Sequence, residues 1–191
     1  KVNSMKFLEK TLIDISKNFI DLSKNCSVQI VETSEIIIDS LQSGGKIMFC
    51  GNGGSAADSQ HLSAELVGRY KKKRKAIASI SLTTDTSAIT AIGNDFDFNE
   101  IFSRQIEAIG ESGDVLYAIS TSGNSKNIIN AIKVAKGLEI KTIGVTGQDG
   151  GELNNLCDKI IKVPSISADR IQEMHIAIGH IICEQIENNL S

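Results

Sequence analysis

The stretch "IMFCGNGGSAADSQHLSAE", residues 47–65, reads as a buried strand, a glycine-rich loop and the start of a helix. Residues 47–50 form a short apolar run, and residues 51–55 follow as a turn of small side chains. Backbone N–H groups in such a turn can face an anion, and the helix that begins there has a dipole that favours negative charge. The segment therefore predicts one strand-to-helix unit of an α/β fold, with a ligand beyond the carboxyl end of the strand.

The chain after this segment repeats the same pattern. Further short apolar runs alternate with segments of helical spacing, and they lie at residues 77–82, 115–119, 142–145 and 160–163. Buried strands separated by helices predict a five-stranded parallel sheet covered on both faces. We therefore expect a three-layer α/β/α sandwich with right-handed crossovers.

Helices are predicted on both sides of this sheet in the sequence. Residues 5–42 have helical spacing with a break near Asn25, which predicts two N-terminal helices before the first strand. Residues 168 to about 188 predict a last helix after Pro164, the only proline. At 191 residues we expect a single domain over residues 1–191, with its α/β core in residues 43–191. Residues 1–4, ahead of Met5, are expected to be foreign to the natural chain.

Composition and charge restrict the partners. The formal net charge of −3, from 20 Lys and Arg against 23 Asp and Glu, offers no field that would attract nucleic acid or an anionic membrane. No apolar run approaches the roughly 20 residues that cross a bilayer, and no signal peptide is recognisable. The 4 cysteines are scattered without a CxxC pair, which is typical of reduced thiols. We expect a cytoplasmic protein that binds neither nucleic acid nor membrane, with the basic run at residues 71–75 as a solvated loop.

A second loop resembles the first in position and differs in its chemistry. The sequence "STSGNS", residues 120–125, follows a predicted strand and supplies hydroxyls from four of its six residues, namely Ser120, Thr121, Ser122 and Ser125. One interpretation makes both loops ordinary turns, in which Ser55 and Ser125 cap helices and Asp58 completes a capping box with Ser55. Capping alone needs fewer hydroxyls, so the sequence favours a phosphate site that is compatible with capping.

A nucleotide-binding domain is the competing interpretation of the glycine loop. Gly51, Gly53 and Ala56 satisfy the dinucleotide pattern G-x-G-x-x-A. That pattern also needs an acidic residue about 20 positions further on, at the end of the next strand. The nearest candidate by position is Asp85, 34 residues after Gly51. The second loop is also unexplained by a dinucleotide fold, so this interpretation is the weaker one.

Potential metal ligands lie on two of the predicted helices. His61 and Glu65 are four residues apart, so they share one face of a helix. On the last helix Gln172 and His180 are eight residues apart, which is about 12 Å along the axis. If all of these serve one centre, a neighbouring subunit could supply part of the ligand shell. From spacing alone, His61 as a packing residue and His61 as a ligand both remain open, whereas His175 is interpreted as a packing residue.

Several separate motifs carry a resemblance to a known family. They are "GNGGSAADSQHLSAELVGRY" at 51–70, "AIGNDF" at 91–96, "AISTSGNS" at 118–125, "GVTGQDGGEL" at 144–153 and "DRIQEMHIAIGH" at 169–180. In this order, from about residue 40 to the end of the chain, they resemble the phosphoheptose isomerases of the sugar isomerase (SIS) superfamily. The resemblance implies isomerisation of D-sedoheptulose 7-phosphate to D-glycero-D-manno-heptose 7-phosphate, in bacterial surface-polysaccharide synthesis. It also implies a homotetramer with active sites at subunit contacts.

The same resemblance implies a set of site residues. One zinc ion per subunit is implied, with ligands that fall on His61, Glu65, Gln172 and His180. The implied substrate contacts fall on Asn52, Gly53, Gly54, Ser55, Glu65, Asn94, Asp95, Ser120, Thr121, Ser122, Ser125 and Gln172.

The reaction suggests a role for each reactive group. Aldose–ketose isomerisation removes a proton from a carbon next to a carbonyl and returns one to the neighbouring carbon through an enediolate. Glu65 is our candidate for this carbon acid/base catalysis, and His180 for moving protons between oxygens or for a second acid/base. We expect Asp95 and Asp169 to bind sugar hydroxyls. Asp169 could also orient a catalytic side chain or interact favourably with the helix dipole. Zinc would polarise the carbonyl, but a carboxylate that binds zinc is a poorer base.

A binding protein with the same fold is the alternative from a different class. The non-catalytic replication-initiator-associating protein of bacteria shares the glycine loop, the Ser/Thr loop and the "RIQEMH" motif, and it lacks counterparts of Glu65 and His180. Both residues are present in this chain. A binding module has no use for a base beside a sugar carbon, so the sequence favours the enzyme.

Overall fold

The computed structural model describes residues 2–190 as one sheet surrounded by helices. The strands are β1 (Ile47–Gly51), β2 (Ser79–Ser81), β3 (Val115–Ile119), β4 (Lys141–Thr146) and β5 (Lys159–Lys162). The helices are α1 (Val2–Asn25), α2 (Ser27–Gln42), α3 (Gly54–Val67), α4 (Thr86–Asp95), α5 (Ser103–Ile109), α6 (Lys126–Gly137), α7 (Leu153–Leu156) and α8 (Ala168–Leu190). A 3₁₀ turn at Phe98–Glu100 lies between α4 and α5.

All five strands are parallel, in the order β2-β1-β3-β4-β5. The predicted α/β/α fold with its N-terminal helices is therefore confirmed. Strand β2 is shorter than the predicted run at 77–82 because it lies at the sheet edge and pairs with β1 alone. The ends of that run still follow β1, since Ile47 donates its N–H to Ala78 and Leu82 donates to Phe49.

Alternation along each strand divides the core into two apolar layers. Ile47 and Phe49 of β1 face one layer, which includes residues of α2, α3 and α8. Met48 and Cys50 face the other layer, which includes residues of α5 and α6. Parallel strands that are buried on both faces read as continuous apolar runs, which explains why they were recognisable in the sequence.

The cysteines are free thiols, as the sequence predicts. Cys26, Cys50 and Cys183 are buried and Cys157 is half-buried. Burial is the main cause that raises the pKa of Cys183 to about 12, so this thiol stays protonated. Within residues 2–190, none of the helices has the length and apolar character that crossing a membrane requires.

Candidate active site

The two loops singled out in the sequence lie side by side at the carboxyl edge of the sheet. Gly51, at the end of β1, pairs with Ile119, at the end of β3, so the loop after each strand begins at the same level. Asn52 and Asn127 join the loops through reciprocal amide hydrogen bonds of 2.9 and 2.8 Å. The cavity between the loops, called the loop pocket below, is lined by Asn52, Ser55, Ile119, Ser120, Thr121, Ser125 and Gln172.

Glycines are required where these loops turn or meet a neighbour. Gly123 has a φ of +67°, and a Cβ there would meet the backbone of Gly150. Gly53 also has a positive φ, +56°, at the position that precedes α3. A Cβ on Gly54 would lie 2.9 Å from the amide nitrogen of Gln172. Glycine at residue 54 therefore lets the Gln172 side chain approach the glycine loop closely.

The hydroxyls of the two loops do not cap helices. Helix α3 begins at Gly54, so Ser55 lies inside its first turn, where it is 3% exposed. Ser125 is at the cap position of α6 without a side-chain capping bond, and its Oγ lies 3.1 Å from Ser120 Oγ. Asp58 Oδ2 is buried and has no hydrogen-bond partner among the described residues. The predicted Ser55 cap and its capping box are therefore wrong. Ser125 occupies the predicted cap position of α6, but its hydroxyl makes no capping bond, so neither hydroxyl is used by a helix end.

Helices α3 and α8 bring three of the predicted ligands together. The Nε2 atoms of His61 and His180 are 3.1 Å apart, and His61 Nε2 is 3.3 Å from Glu65 Oε1. One ligand atom from each of these residues lies within 4.8 Å of the other two. The helices approach closely at this point, since a Cβ on Gly179 would lie 2.5 Å from both methyl groups of Leu62. We call this group the His–Glu–His cluster.

The donor set of this cluster suits zinc. Two imidazole nitrogens and a carboxylate oxygen are typical zinc ligands, and ligands at about 2.0–2.1 Å from a tetrahedral centre are about 3.3 Å apart. The separations of 3.1 and 3.3 Å are close to that value. Burial and the nearby His61 lower the pKa of His180, while Glu65 opposes them, so the neutral imidazole that binds metal is favoured.

Gln172 lies apart from the His–Glu–His cluster. It lines the loop pocket, and it is eight residues, about 12 Å along α8, from His180. The structure thus brings together His61, Glu65 and His180 within one chain, without a neighbouring subunit. The fourth ligand implied by the resemblance lies about two turns nearer the start of α8 than His180.

Three further predicted substrate residues, Asn94, Asp95 and Asp169, do not line the loop pocket. Asn94 donates to Asp95 Oδ1 at 2.8 Å on the exposed last turn of α4. Asp169, in the first turn of α8, accepts from the Ser167 hydroxyl at 2.5 Å and from the Arg170 N–H at 2.8 Å. These bonds, with the Arg170 guanidinium, lower the pKa of Asp169 to about 2. The carboxylate is therefore ionised and able to accept hydrogen bonds from hydroxyls.

Two other predictions concern residues outside this chemistry. His175 is buried, with Nε2 3.1 Å from the Thr146 carbonyl oxygen, and burial lowers its pKa to about 4. Its interpretation as a packing residue is confirmed. Asp85, the acidic candidate of the nucleotide-binding interpretation, accepts the Ala88 N–H at 2.9 Å and caps α4. That bond gives Asp85 a structural function.

The sequence interpretation missed four residues that support the site: Tyr70, Arg74, Asn127 and Glu187. The prediction that residues 71–75 form a solvated loop is wrong at Arg74, whose side chain is 4% exposed. Its partner Glu187 is 1% exposed and 113 residues away in the chain. No pattern in the sequence indicates an ion pair between residues so far apart. Asn127, by contrast, lies two residues after the Ser/Thr loop and could have been included with it.

Comparison with known proteins identifies relatives along nearly the whole chain. The SIS domain family matches residues 14–147. A phosphoheptose isomerase of Aliarcobacter butzleri is 58% identical over 160 residues, 84% of this chain and 85% of that protein. Another, of Nitratiruptor sp., is 50% identical over 185 residues, 97% of this chain and 99% of that protein. The solved phosphoheptose isomerase of Neisseria gonorrhoeae superimposes with a TM-score of 0.91 at 40% identity, covering 96% of this chain and 98% of that one.

Proposed function

The chain belongs to the phosphoheptose isomerase family of the SIS-domain proteins, and from this premise we propose that it isomerises D-sedoheptulose 7-phosphate to D-glycero-D-manno-heptose 7-phosphate. This aldose–ketose isomerisation is the first step toward nucleotide-activated heptose for bacterial lipopolysaccharide or capsule. The relatives that share half or more of its residues are named for this activity. The proposal includes a cytoplasmic location, where phosphorylated sugars are made and retained.

One observation carries the proposal at the level of chemistry. A pocket rich in hydroxyls and a cluster of proton-transferring groups lie at two points along α8, marked by Gln172 and His180. Their separation of about 12 Å along the helix is comparable with an extended seven-carbon phosphosugar. A phosphate held in the loop pocket would direct the carbonyl end of the sugar toward Glu65 and His180. Such positioning converts an intermolecular proton transfer into one between groups that are already aligned.

We assign the proton transfers to Glu65 and His180. Glu65 removes the proton from C1 of the ketose and the resulting enediolate is protonated at C2, which completes the shift of the carbonyl from C2 to C1. His180 moves the proton between the two oxygens, since neutral imidazole can both accept and donate. Asp95 and Asp169 accept hydrogen bonds from sugar hydroxyls and keep the chain of carbons in register. Asn52, Ser120, Thr121 and Ser125, which line the loop pocket, hold the phosphate with backbone N–H groups of Gly53 and Gly54.

We propose that His61, Glu65 and His180 hold one zinc ion per subunit. When bound, zinc supplies Lewis-acid stabilisation of the negative charge that develops on the carbonyl oxygen. Three protein donors would be the number typical of a catalytic rather than a structural zinc site. Gln172 is the fourth ligand implied by the resemblance, and its place in the loop pocket favours a role in substrate binding for this chain.

The proposed assembly is a homotetramer with active sites at subunit contacts. Its support is an unusual number of exposed apolar side chains on α1, where Phe7 is 72% exposed and Leu12 is 57% exposed. Val28 of α2 is also 66% exposed. Exposed apolar side chains in this number are a candidate surface for contact between subunits. Light scattering should give four times the chain mass of 20.5 kDa, and a monomer would refute this part of the proposal.

The non-catalytic alternative is not favoured, because the relatives at 50% identity and above are isomerases and the His–Glu–His cluster assembles. The decisive experiment incubates purified protein with D-sedoheptulose 7-phosphate and follows formation of the aldose. We expect turnover that is lost after chelation and restored by zinc. If zinc-loaded protein forms no aldose, the proposed isomerase activity is refuted. If the metal-free protein is active, the proposed requirement for zinc is refuted.

A further inference from the structure

A buried ion pair fastens the loop after α3 to α8. Arg74 Nε donates to Glu187 Oε1 at 3.1 Å, and both side chains are almost completely buried. The same carboxylate accepts the backbone N–H groups of Tyr70, Lys71 and Lys72 at 3.1, 2.8 and 2.9 Å. Burial acts to raise the pKa of Glu187, but these hydrogen bonds and the charge of Arg74 outweigh it and lower that pKa. The charged form of Glu187 is thus the form that the loop stabilises.

The other end of Arg74 contacts the helix that carries Glu65. Its Nη2 donates to the Glu65 carbonyl oxygen at 2.9 Å, and its Nη1 donates to the Leu66 carbonyl oxygen at 2.8 Å. Carbonyls in the last turn of an α-helix lack partners within the helix. Arg74 therefore fixes the turn of α3 from which the Glu65 side chain extends.

Tyr70, in the same loop, contacts the other proposed catalytic residue. Its ring stacks on the imidazole of His180, with centroids 5.8 Å apart and planes at 27°. The Tyr70 N–H is one of those bound by Glu187, and Lys71 Nζ lies 5.3 Å from the Tyr70 ring centroid. His180 and Glu187 are seven residues apart on α8, so they lie on one face of the helix. The α8 face that carries His180 therefore also carries Glu187, which binds the backbone of Tyr70.

We propose that Arg74, Glu187 and Tyr70 are positioning residues that hold Glu65 and His180 in the relative placement required for proton transfer and metal binding, an inference that rests on the proposed function. None of them needs to contact the substrate. Arg74 sets the position of the Glu65 backbone, and Tyr70 limits rotation of the His180 ring. Glu187 binds both, so a single buried carboxylate couples the two reactive side chains.

The chain offers a matched control for a purely structural effect. Asp114 is 2% exposed, accepts the N–H groups of Lys46 and Glu111 at 2.9 and 2.8 Å, and pairs with Lys46 Nζ at 2.7 Å. It resembles Glu187 in being a buried carboxylate that binds backbone amides and one cation. Asp114 directly precedes β3 at the amino edge of the sheet, opposite to the site. Its loss should therefore lower stability without moving Glu65 or His180.

The test compares Glu187→Gln with Asp114→Asn. Both changes neutralise a buried carboxylate that binds backbone N–H groups and a cation, so both should lower the thermal midpoint. Only Glu187→Gln should lower kcat, by about tenfold or more with KM little changed, since a shift near 1 Å can cost about 100-fold in rate. Only Glu187→Gln should also weaken zinc binding, by about tenfold in a competition assay with a chromophoric chelator.

A second pair of variants avoids disturbing the buried charge. Tyr70→Leu removes the stacked ring and should reproduce the loss of kcat and of zinc affinity, whereas Tyr70→Phe keeps a ring and should recover most of both. The inference is overturned if Glu187→Gln and Tyr70→Leu keep the wild-type kcat and zinc affinity, or if Asp114→Asn loses as much kcat as Glu187→Gln. A wild-type protein without isomerase activity would instead reject the proposed function, because zinc affinity reports the placement of the cluster without turnover.

Discussion

The loop pocket and the His–Glu–His cluster lie about 12 Å apart along α8 and are built in opposite ways. The pocket consists of turns with small neutral side chains, held by glycine conformations and by the Asn52–Asn127 pair. The cluster consists of long ionisable side chains from two packed helices, and the His61 side chain is 48% exposed. The comparison indicates that anchoring a phosphate needs fixed dipoles, whereas moving protons needs groups that change charge at a solvent-accessible position.

The largest effect should come from the cluster itself. Glu65→Gln removes the proposed carbon base and keeps the side-chain volume, so kcat should fall by about 10²–10⁴ with KM little changed. Steady-state kinetics with D-sedoheptulose 7-phosphate measures both parameters. Glu32→Gln, which removes a surface carboxylate paired with Lys159, is the control and should retain turnover. Full activity of Glu65→Gln would refute the assignment of the base.

A substitution in the Ser/Thr loop should affect the pocket selectively. Gly123→Ala places a Cβ against the Gly150 backbone at a φ of +67°, so the loop must change conformation. We expect KM to rise by about 100-fold, because strain of this kind costs about 1–3 kcal/mol and displaces the phosphate donors. Zinc affinity should stay the same. Gly137→Ala, where no atom lies within 4 Å of the added Cβ, is the control; equal KM values in the two variants would contradict the prediction.

A substitution between the helices should affect the cluster selectively. Gly179→Ala places a Cβ 2.5 Å from the Leu62 methyl groups and should move α8 away from α3. Overpacking of this kind costs about 1–3 kcal/mol, and we expect kcat and zinc affinity to fall by about tenfold. KM should be nearly constant, since the pocket is about 12 Å away along α8. Adding Leu62→Ala makes room and should restore part of both losses; strictly additive losses would argue against a steric cause.

The smallest effect should come from the bonds that join the two loops. Asn127→Ala removes both hydrogen bonds to Asn52, each of which is expected to contribute about 0.5–1.5 kcal/mol. KM should rise by about 3- to 10-fold, since Asn52 then moves relative to the Ser/Thr loop. The affinity for inorganic phosphate, measured as its competitive inhibition constant, should weaken by the same factor. A loss of kcat instead of affinity would place Asn127 with the cluster rather than the pocket.

The sequence predicted most of the fold because its signals are local. Each strand is an apolar run of a few residues, and each loop follows its strand directly, as in residues 47–55. Predictions about single side chains were less successful. Ser55 and Ser125 satisfy the composition of helix caps, yet α3 begins two residues earlier than a Ser55 cap requires, and the Ser125 hydroxyl lies against Ser120 without a capping bond. Cap geometry depends on backbone angles that residue type alone does not determine.

The sequence by itself determined the parallel sheet, the two loops at its carboxyl edge and the pairing of His61 with Glu65 on one helix face. Only the tertiary structure decided that His180, 119 residues from His61, joins the His61–Glu65 pair within one chain and that Gln172 of the same chain lines the loop pocket. It also decided that Arg74 leaves its basic run to pair with Glu187. The physical reason is that turns and helical faces follow from neighbouring residues, whereas contacts between α3 and α8 follow from how closely Gly179 lets two helices pack.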